Sequence, residues 1–404
     1  MKLRCVLIVL FITIFSGFVF AEGDEENKKK EPEGYVFSDE VLLPVTSVKD
    51  QYRSGTCWSF SGLSFLESEM LRLGKPEVDL SEMFVVWHTY SQKAEKDIRV
   101  HGSLNFSAGG AFHDVTNTIE RFGIVPETVY DGLNYGEDKH VHGEMDRVLK
   151  QQVDAVIENK NRKLSSAWYE AFEGTLNAYL GEIPNKFEYE GKWYTPQSFA
   201  SDYVGLNMED YVEITSYTHH PFYSRFILEI PDNWSWDQVY NVPINDLEEI
   251  IDYSLNNGFT VAWAADVSEK GFVTSNKGVA VVPEVNLEDM TDSERSKWEA
   301  LSEKEKEQQL YSLEKPVPEM VITQEMRQAA FDNYTTTDDH GMHIIGFAKD
   351  QEGRTFYKVK NSWGNYNKYE GYFYVSKPYV NFKTMSIMVH KDAIPQSIKV
   401  KLEL

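Results

Sequence analysis

The sequence predicts an α+β protein in which a helical half precedes a β-rich half. Three observations lead there. From Cys57 onward, Phe60, Leu63, Leu66 and Met70 recur at three- and four-residue steps, the period of a helix with one buried face. The C-terminal third instead carries short β-type runs at 343–347, 356–360, 371–375 and 385–389, separated by turn residues. Between them lies a long stretch of polar-rich helical pattern.

In chain order, residues 1–21 read as a signal peptide. Lys2 and Arg4 form a short basic region, an apolar run extends from Cys5 to Phe20, and Val19-Phe20-Ala21 offers a small-residue cleavage site. The apolar run is short for a membrane span. Residues 22–34 read as a disordered charged tether containing Lys28-Lys29-Lys30. Residues 35–130 are expected to form the helical domain. After an extended lead-in at 41–45, a first helix starts at Cys57 and stops before Gly74 and Pro76. A second runs from about Leu80 to Lys93, and a third from Ala111 to Phe122, closed by Gly123. Residues 131–210 form a mostly helical insertion: two helices within 138–178, broken near Ser165, then a small hairpin at 187–194. The β-rich domain spans 211–404. Its helix at 243–257 presents Ile244, Leu247, Ile250, Ile251 and Leu255 on one face, Gly258 stops it, and a buried strand follows at 260–265. A charged helical excursion at about 275–337 interrupts this domain. In it, Thr291 with Glu294 and Ser302 with Glu305 fit capping boxes.

The chain has 404 residues and a formal net charge of −24. Losing Lys2 and Arg4 with the leader would leave −26. Such a field repels nucleic acid and anionic lipid, tolerates peptides and favours cationic N-termini. The charge is therefore expected to exclude nucleic acid and to allow peptide substrates. It is expected to be exported, periplasmic or secreted, without stable membrane insertion after cleavage.

Only two cysteines exist, Cys5 and Cys57, and the first falls in the leader. A mature chain with one thiol has no internal disulfide, and a nucleophile explains that thiol best. Cys57 opens a helix, where exposed N–H groups and the helix dipole favour an anion. An imidazolium beside it would complete an ion pair. Asp339-His340-Gly341-Met342-His343 supplies two histidines, and the next strand leads into Asn361-Ser362-Trp363-Gly364. His340 at the start of one strand can meet Asn361 at the end of its neighbour. His343, three positions on, would face the other way. Gln51 precedes Cys57 on the same loop and offers a side-chain N–H to an oxyanion. His219-His220, and His140 with His142, have no cysteine or carboxylate at ligand spacing and read as surface histidines. No metal and no cofactor are expected.

These runs resemble the papain-like cysteine peptidases. Gln51, then Gly55-Thr56-Cys57-Trp58-Ser59-Phe60, Gly109-Gly110, Asp339-His340-Gly341-Met342 and Asn361-Ser362-Trp363-Gly364 stand in that family's order. The resemblance implies a papain-like two-domain fold with large insertions. It makes Cys57 the nucleophile, His340 the general base and acid, and Asn361 the group that orients the imidazole. Trp363 shields that bond and Trp58 stands beside the nucleophile. Gln51 and the Cys57 N–H form the oxyanion hole, and Gly109 and Gly110 line the acyl side of the substrate. Ser54 stands where most such enzymes carry a disulfide cysteine, and Cys57 is unusually far from His340. Both departures resemble the bleomycin hydrolase and aminopeptidase C branch. There the chain's C-terminus lies in the cleft, restricting cleavage to N-terminal residues, and closed homo-oligomers are common. The resemblance therefore implies an aminopeptidase acting on oligopeptides. A broad endopeptidase or oligopeptidase is the alternative, and a catalytically silent binding protein on the same scaffold is another. A transglutaminase-like acyl transferase would pair Cys and His with Asp, which Asn361 disfavours.

Overall fold

In the computed structural model, the described residues are 34–161, 163–273 and 277–404. The expected leader and the tether up to residue 33 lie outside them, as does the start of the charged excursion at 274–276. Residues Gly34–Leu404 form one unit of mutual contacts.

The chain enters as strand β1 (Phe37–Leu42). Helix α1 (Cys57–Arg72) is buried on nearly every side from Trp58 to Met70, as a helix central to its fold must be. Its fully covered Leu63, Phe65 and Leu66 each contribute about 1.5–3 kcal/mol of burial. Helix α2 (Glu82–Arg99) is capped by Ser81, whose side chain accepts from the Phe84 N–H. It continues past the expected end at Lys93. The reason is tertiary: Lys93 is buried and donates to the carbonyls of Ser107 and Gly109, while Asp97 accepts from the Leu104 N–H. Helix α3 (Phe112–Phe122) ends at Gly123, as its sequence requires.

Helices α4 (Gly143–Ile157) and α5 (Ala167–Leu180) pack on α2, and Met145, Leu149, Val153, Phe172 and Leu176 join the core beneath α1. The hairpin β2 (Phe187–Tyr189) and β3 (Lys192–Tyr194) follows, then the single turn α6 (Pro196–Ser198).

An eleven-stranded sheet carries the rest. Strands β4 (Tyr211–Thr215), β5 (Arg225–Ile227) and β6 (Gln238–Asn241) have too little periodicity to be foreseen. Helix α7 (Ile244–Asn256) buries its expected stripe, and strand β7 (Val261–Ala265) follows. The short strands β8 (Phe272–Val273) and β9 (Val279–Ala280) lead into the capped helices α8 (Asp292–Glu299) and α9 (Glu303–Leu310). Neither helix buries a residue, in keeping with a solvated excursion. Helix α10 (Gln324–Asp332) returns the chain to strand β10 (His340–Asp350). β10 begins three residues earlier than its apolar run suggests, because His340, Gly341 and Met342 pair with Ala265, Ala264 and Trp263 of β7. Strands β11 (Thr355–Lys360) and β12 (Tyr372–Ser376), helix α11 (Lys377–Lys383), strand β13 (Thr384–His390) and helix α12 (Gln396–Leu402) complete the chain. The order β4-β13-β7-β10-β11-β12 runs through the middle of the sheet, and β1 pairs with the far half of β10. The N-terminal lead-in thus joins the β-rich half rather than the helical one.

Buried ions tie the two halves. Lys49 meets Glu67 at 3.1 Å, Glu82 at 2.7 Å and also Asp79. Lys360, at the end of β11, donates to Thr46 and to Ser64 of α1. Ser54 is buried against Thr56, their hydroxyls 2.6 Å apart.

Candidate active site

Cys57 is the first residue of α1, so the free N–H groups of the opening turn surround it. Thr56 makes no side-chain cap that would occupy them. The Gly341 N–H points at the sulfur. A Cβ on residue 341 would lie 2.6 Å from Ser61 Oγ and 3.2 Å from Trp58 Cα, so a glycine lets β10 approach the start of α1 closely. This approach brings Cys57 and His340 to one pocket, whose other lining residues include Gly110, Phe112, Ala264 and Ser386.

His340 Nε2 lies 2.7 Å from Asn361 Oδ1. The Ser362 N–H donates to the same oxygen at 2.7 Å. A backbone N–H can only donate, so that atom is the amide oxygen and His340 Nε2 carries the proton. In the neutral ring Nδ1 is then the free base. Trp363 stacks on the imidazole with centroids 4.6 Å apart. His343 belongs to a different environment, buried beside Phe65 with Nδ1 3.0 Å from Ser64 Oγ, behind α1.

Gln51 is buried, and its carbonyl oxygen accepts from Ser362 Oγ at 2.6 Å. Its backbone N–H donates to the Ser362 carbonyl at 2.8 Å. The amide nitrogen has no protein partner among the described residues and remains available as a donor. Gly110 is closely packed, since a Cβ there would lie 2.8 Å from the Trp58 ring, whereas a Cβ on Gly109 would displace the Asp232 carboxylate. Trp58 Nε1 holds the Ala108 carbonyl at 3.0 Å.

Burial works against both members of the expected thiolate–imidazolium pair. Burial pushes the Cys57 thiol up to about 12, and Asp338 and Asp232 push the same way against the Gly341 and Trp58 N–H groups. Burial pulls His340 down to about 4, against its bond to Asn361. Desolvation is the main cause in both; the carboxylates then act oppositely, Asp338 and Asp232 against the thiolate and Asp339 in favour of the imidazolium.

The other histidines also differ from expectation. His140 and His142 are buried, not surface groups; they sit against Phe60 and Tyr135 at the start of α4. His219 and His220 do have a carboxylate beside them: Glu229, brought back by the intervening loop, takes His219 Nε2 at 3.0 Å and His220 Nε2 at 2.9 Å. These three groups have the residue types of a metal site. However, Gln328 Oε1 is held by the Thr218 N–H, which leaves its NH2 to donate to His219 Nδ1 at 3.1 Å. His219 Nε2 therefore carries a proton for Glu229, and the cluster stands as a hydrogen-bonded one.

With this geometry in place, comparison with known proteins is decisive for the family. The model of the Peptidase C1-like family matches residues 18–311 and 306–404. The chain belongs to that family. It is a papain-like cysteine peptidase. Aminopeptidase C of Streptococcus thermophilus is 23% identical over 411 residues, covering 91% of this chain and 85% of that protein. Aminopeptidase G of Lactobacillus delbrueckii subsp. lactis is 24% identical over 399 residues, covering 88% and 83%. The crystal structure of PepW from Lactobacillus rhamnosis HN001 superposes with a TM-score of 0.66 at 19% identity, covering 91% of this peptidase and 84% of that chain. That likeness establishes the shared fold.

Sequence reasoning missed several groups around the peptidase's pocket. Ser362 orients both Gln51 and Asn361, and only its place in the Asn-Ser-Trp-Gly run hinted at it. Lys93 holds the loop ahead of Gly110. His113 donates to Glu213; burial, the largest single influence, opposes its protonation, but Glu213 with Asp114 and Asp237 together raise it to about 9. Asp232, Asp338 and Ser386 carried no recognisable pattern.

Proposed function

We propose that this peptidase removes N-terminal residues from oligopeptides, with Cys57 as nucleophile, His340 as base and acid and Asn361 as the orienting group. The observation that carries the reading is His340 fixed by Asn361 in the pocket that Cys57 lines. The aminopeptidase names of the relatives support its direction.

In this reading the Cys57 proton passes to His340 Nδ1 as the sulfur bonds to the scissile carbonyl carbon. The electron pair displaced onto the carbonyl oxygen is met by the Gln51 amide and the Cys57 N–H. Collapse breaks the C–N bond, and the leaving amine takes the proton from His340. Water, deprotonated by His340, then attacks the acyl thioester; the C–S bond breaks and the sulfur is reprotonated. Trp363 keeps solvent from the His340–Asn361 bond, and Gly109 and Gly110 take the substrate backbone. The enzyme is further read as exported after loss of residues 1–21, which N-terminal sequencing of the mature protein tests. Among the described residues, no helix is long and apolar enough to cross a membrane.

One observation favours an endopeptidase as the second reading. The C-terminal residues are folded into α12, with Lys401 near Asp246 of α7, and none lines the pocket around Cys57. Fluorogenic peptides with free and acetylated N-termini, assayed with wild type and Cys57→Ala, decide between the readings. Equal cleavage of both by the wild type rejects the aminopeptidase.

A further inference from the structure

Four carboxylates line the pocket beside Cys57, and they are not equivalent. Glu213 is matched by His113 and by the Phe112 N–H. Asp339 accepts from the Ser268 N–H and the Thr337 hydroxyl. Asp232 has only the Asn105 amide at 3.5 Å and the field of Lys93. Asp338 has no hydrogen bond or ion pair among the described residues.

A second feature points into the same pocket. Ser386 is 5% exposed and lines it, yet its hydroxyl has no partner among the described residues. The β13–β7 pairing slips between Thr384 and Ser386, a bulge of the kind that re-aims side chains beside active sites. A hydroxyl and a carboxylate that face one pocket without protein partners can both take a donor from outside the chain.

We propose that Asp338, Asp232 and Ser386 bind the free α-ammonium group of the substrate on the acyl side of the scissile bond. This rests on the aminopeptidase reading and places a determinant of its direction inside the pocket. An ammonium group has three donors, and the pocket offers it two carboxylates and a hydroxyl. Asp232 lies against Gly109, on the stretch assigned to the acyl side.

Binding there also acts on the chemistry. Asp338 and Asp232 oppose ionisation of Cys57, and burial with repulsion among the carboxylates holds both carboxyls above their ordinary range, so a cation beside them favours their charged forms. A bound cation cancels that field, so transfer of the proton to His340 becomes easier when the correct substrate is present. Peptides with blocked N-termini leave the carboxylates uncompensated. The amine therefore contributes to kcat as well as to KM.

The test uses the full chain as wild type, Asp338→Asn, Asp232→Asn and Ser386→Ala. Substrates are leucyl and alanyl-leucyl fluorogenic amides, free or N-acetylated, together with an N-acetylated arginyl amide. The wild type is expected to prefer the free amine. The ratio of kcat/KM for free over acetylated substrate should fall about tenfold in Asp338→Asn, the scale of one charged hydrogen bond. Alkylation of Cys57 by iodoacetamide should speed up in the same variant, which a merely structural role would not produce. Should Asp338→Asn not fold, Asp232→Asn and Ser386→Ala carry the same ratio test. If the wild type prefers the free amine and every folded variant keeps that preference, the cradle is wrong and the aminopeptidase stands. Equal loss on free and blocked substrates also overturns the cradle. If the wild type prefers the acetylated arginyl substrate and Asp338→Asn loses that preference, the pocket holds a basic side chain, and the α-ammonium assignment falls together with the aminopeptidase.

Discussion

His340 Nε2 donates to Asn361 Oδ1 at 2.7 Å, across the β10–β11 pair and under the ring of Trp363. The bond fixes which ring nitrogen remains basic. Asn361→Ala frees the imidazole to rotate and to swap tautomers. We expect kcat to fall roughly 100-fold, within the range for misplacing a general base, with the melting temperature near that of wild type. A loss below a few-fold in steady-state kinetics would show that Trp363 and the strand alone hold the ring.

Gln51 is aimed by Ser362, which leaves its NH2 free. Gln51→Ala should lower kcat by about 10²–10³ with little change in KM, the pattern for a donor used only in the transition state. Ser362→Ala should give a smaller loss of the same kind, since it removes the aim but not the donor. A rise in KM alone, with kcat intact, would assign Gln51 to ground-state binding.

Lys49 compensates Glu67 and Glu82, both fully covered. Lys49→Met leaves two uncompensated buried carboxylates and should cost about 3–5 kcal/mol. Urea denaturation followed by circular dichroism measures this. A loss under about 1 kcal/mol would mean that the carboxylates are neutral or hydrated in the folded chain.

The His113–Glu213 contact predicts how stability depends on pH. The folded state raises His113 from its ordinary 6.5 to about 9. A raised histidine contributes fully below pH 6.5 and loses its contribution as pH climbs through about 9. Glu213→Gln should therefore lower the Tm most below pH 6.5, and the gap to wild type should narrow above pH 9. A gap constant across that window would refute the charge interaction.

Much of this fold is legible locally. Helix α1 shows its period, Gly74 and Gly123 mark the ends they terminate, and the capping boxes of α8 and α9 stand at the expected residues. Strands β4, β5 and β6 escaped detection because three to five residues hold too few repeats of a two-residue period. Helix α2 outran its expected end because partners distant in the chain satisfy Lys93 and Asp97.

The sequence by itself determined the family, the order of the chemistry-bearing runs and the helix on which the sulfur sits, since these depend on neighbours along the chain. Only the tertiary structure decided the charge around that sulfur. Asp232, Asp338 and Ser386 come from three separate segments, and electrostatic fields and desolvation depend on distance in space, which no local pattern encodes.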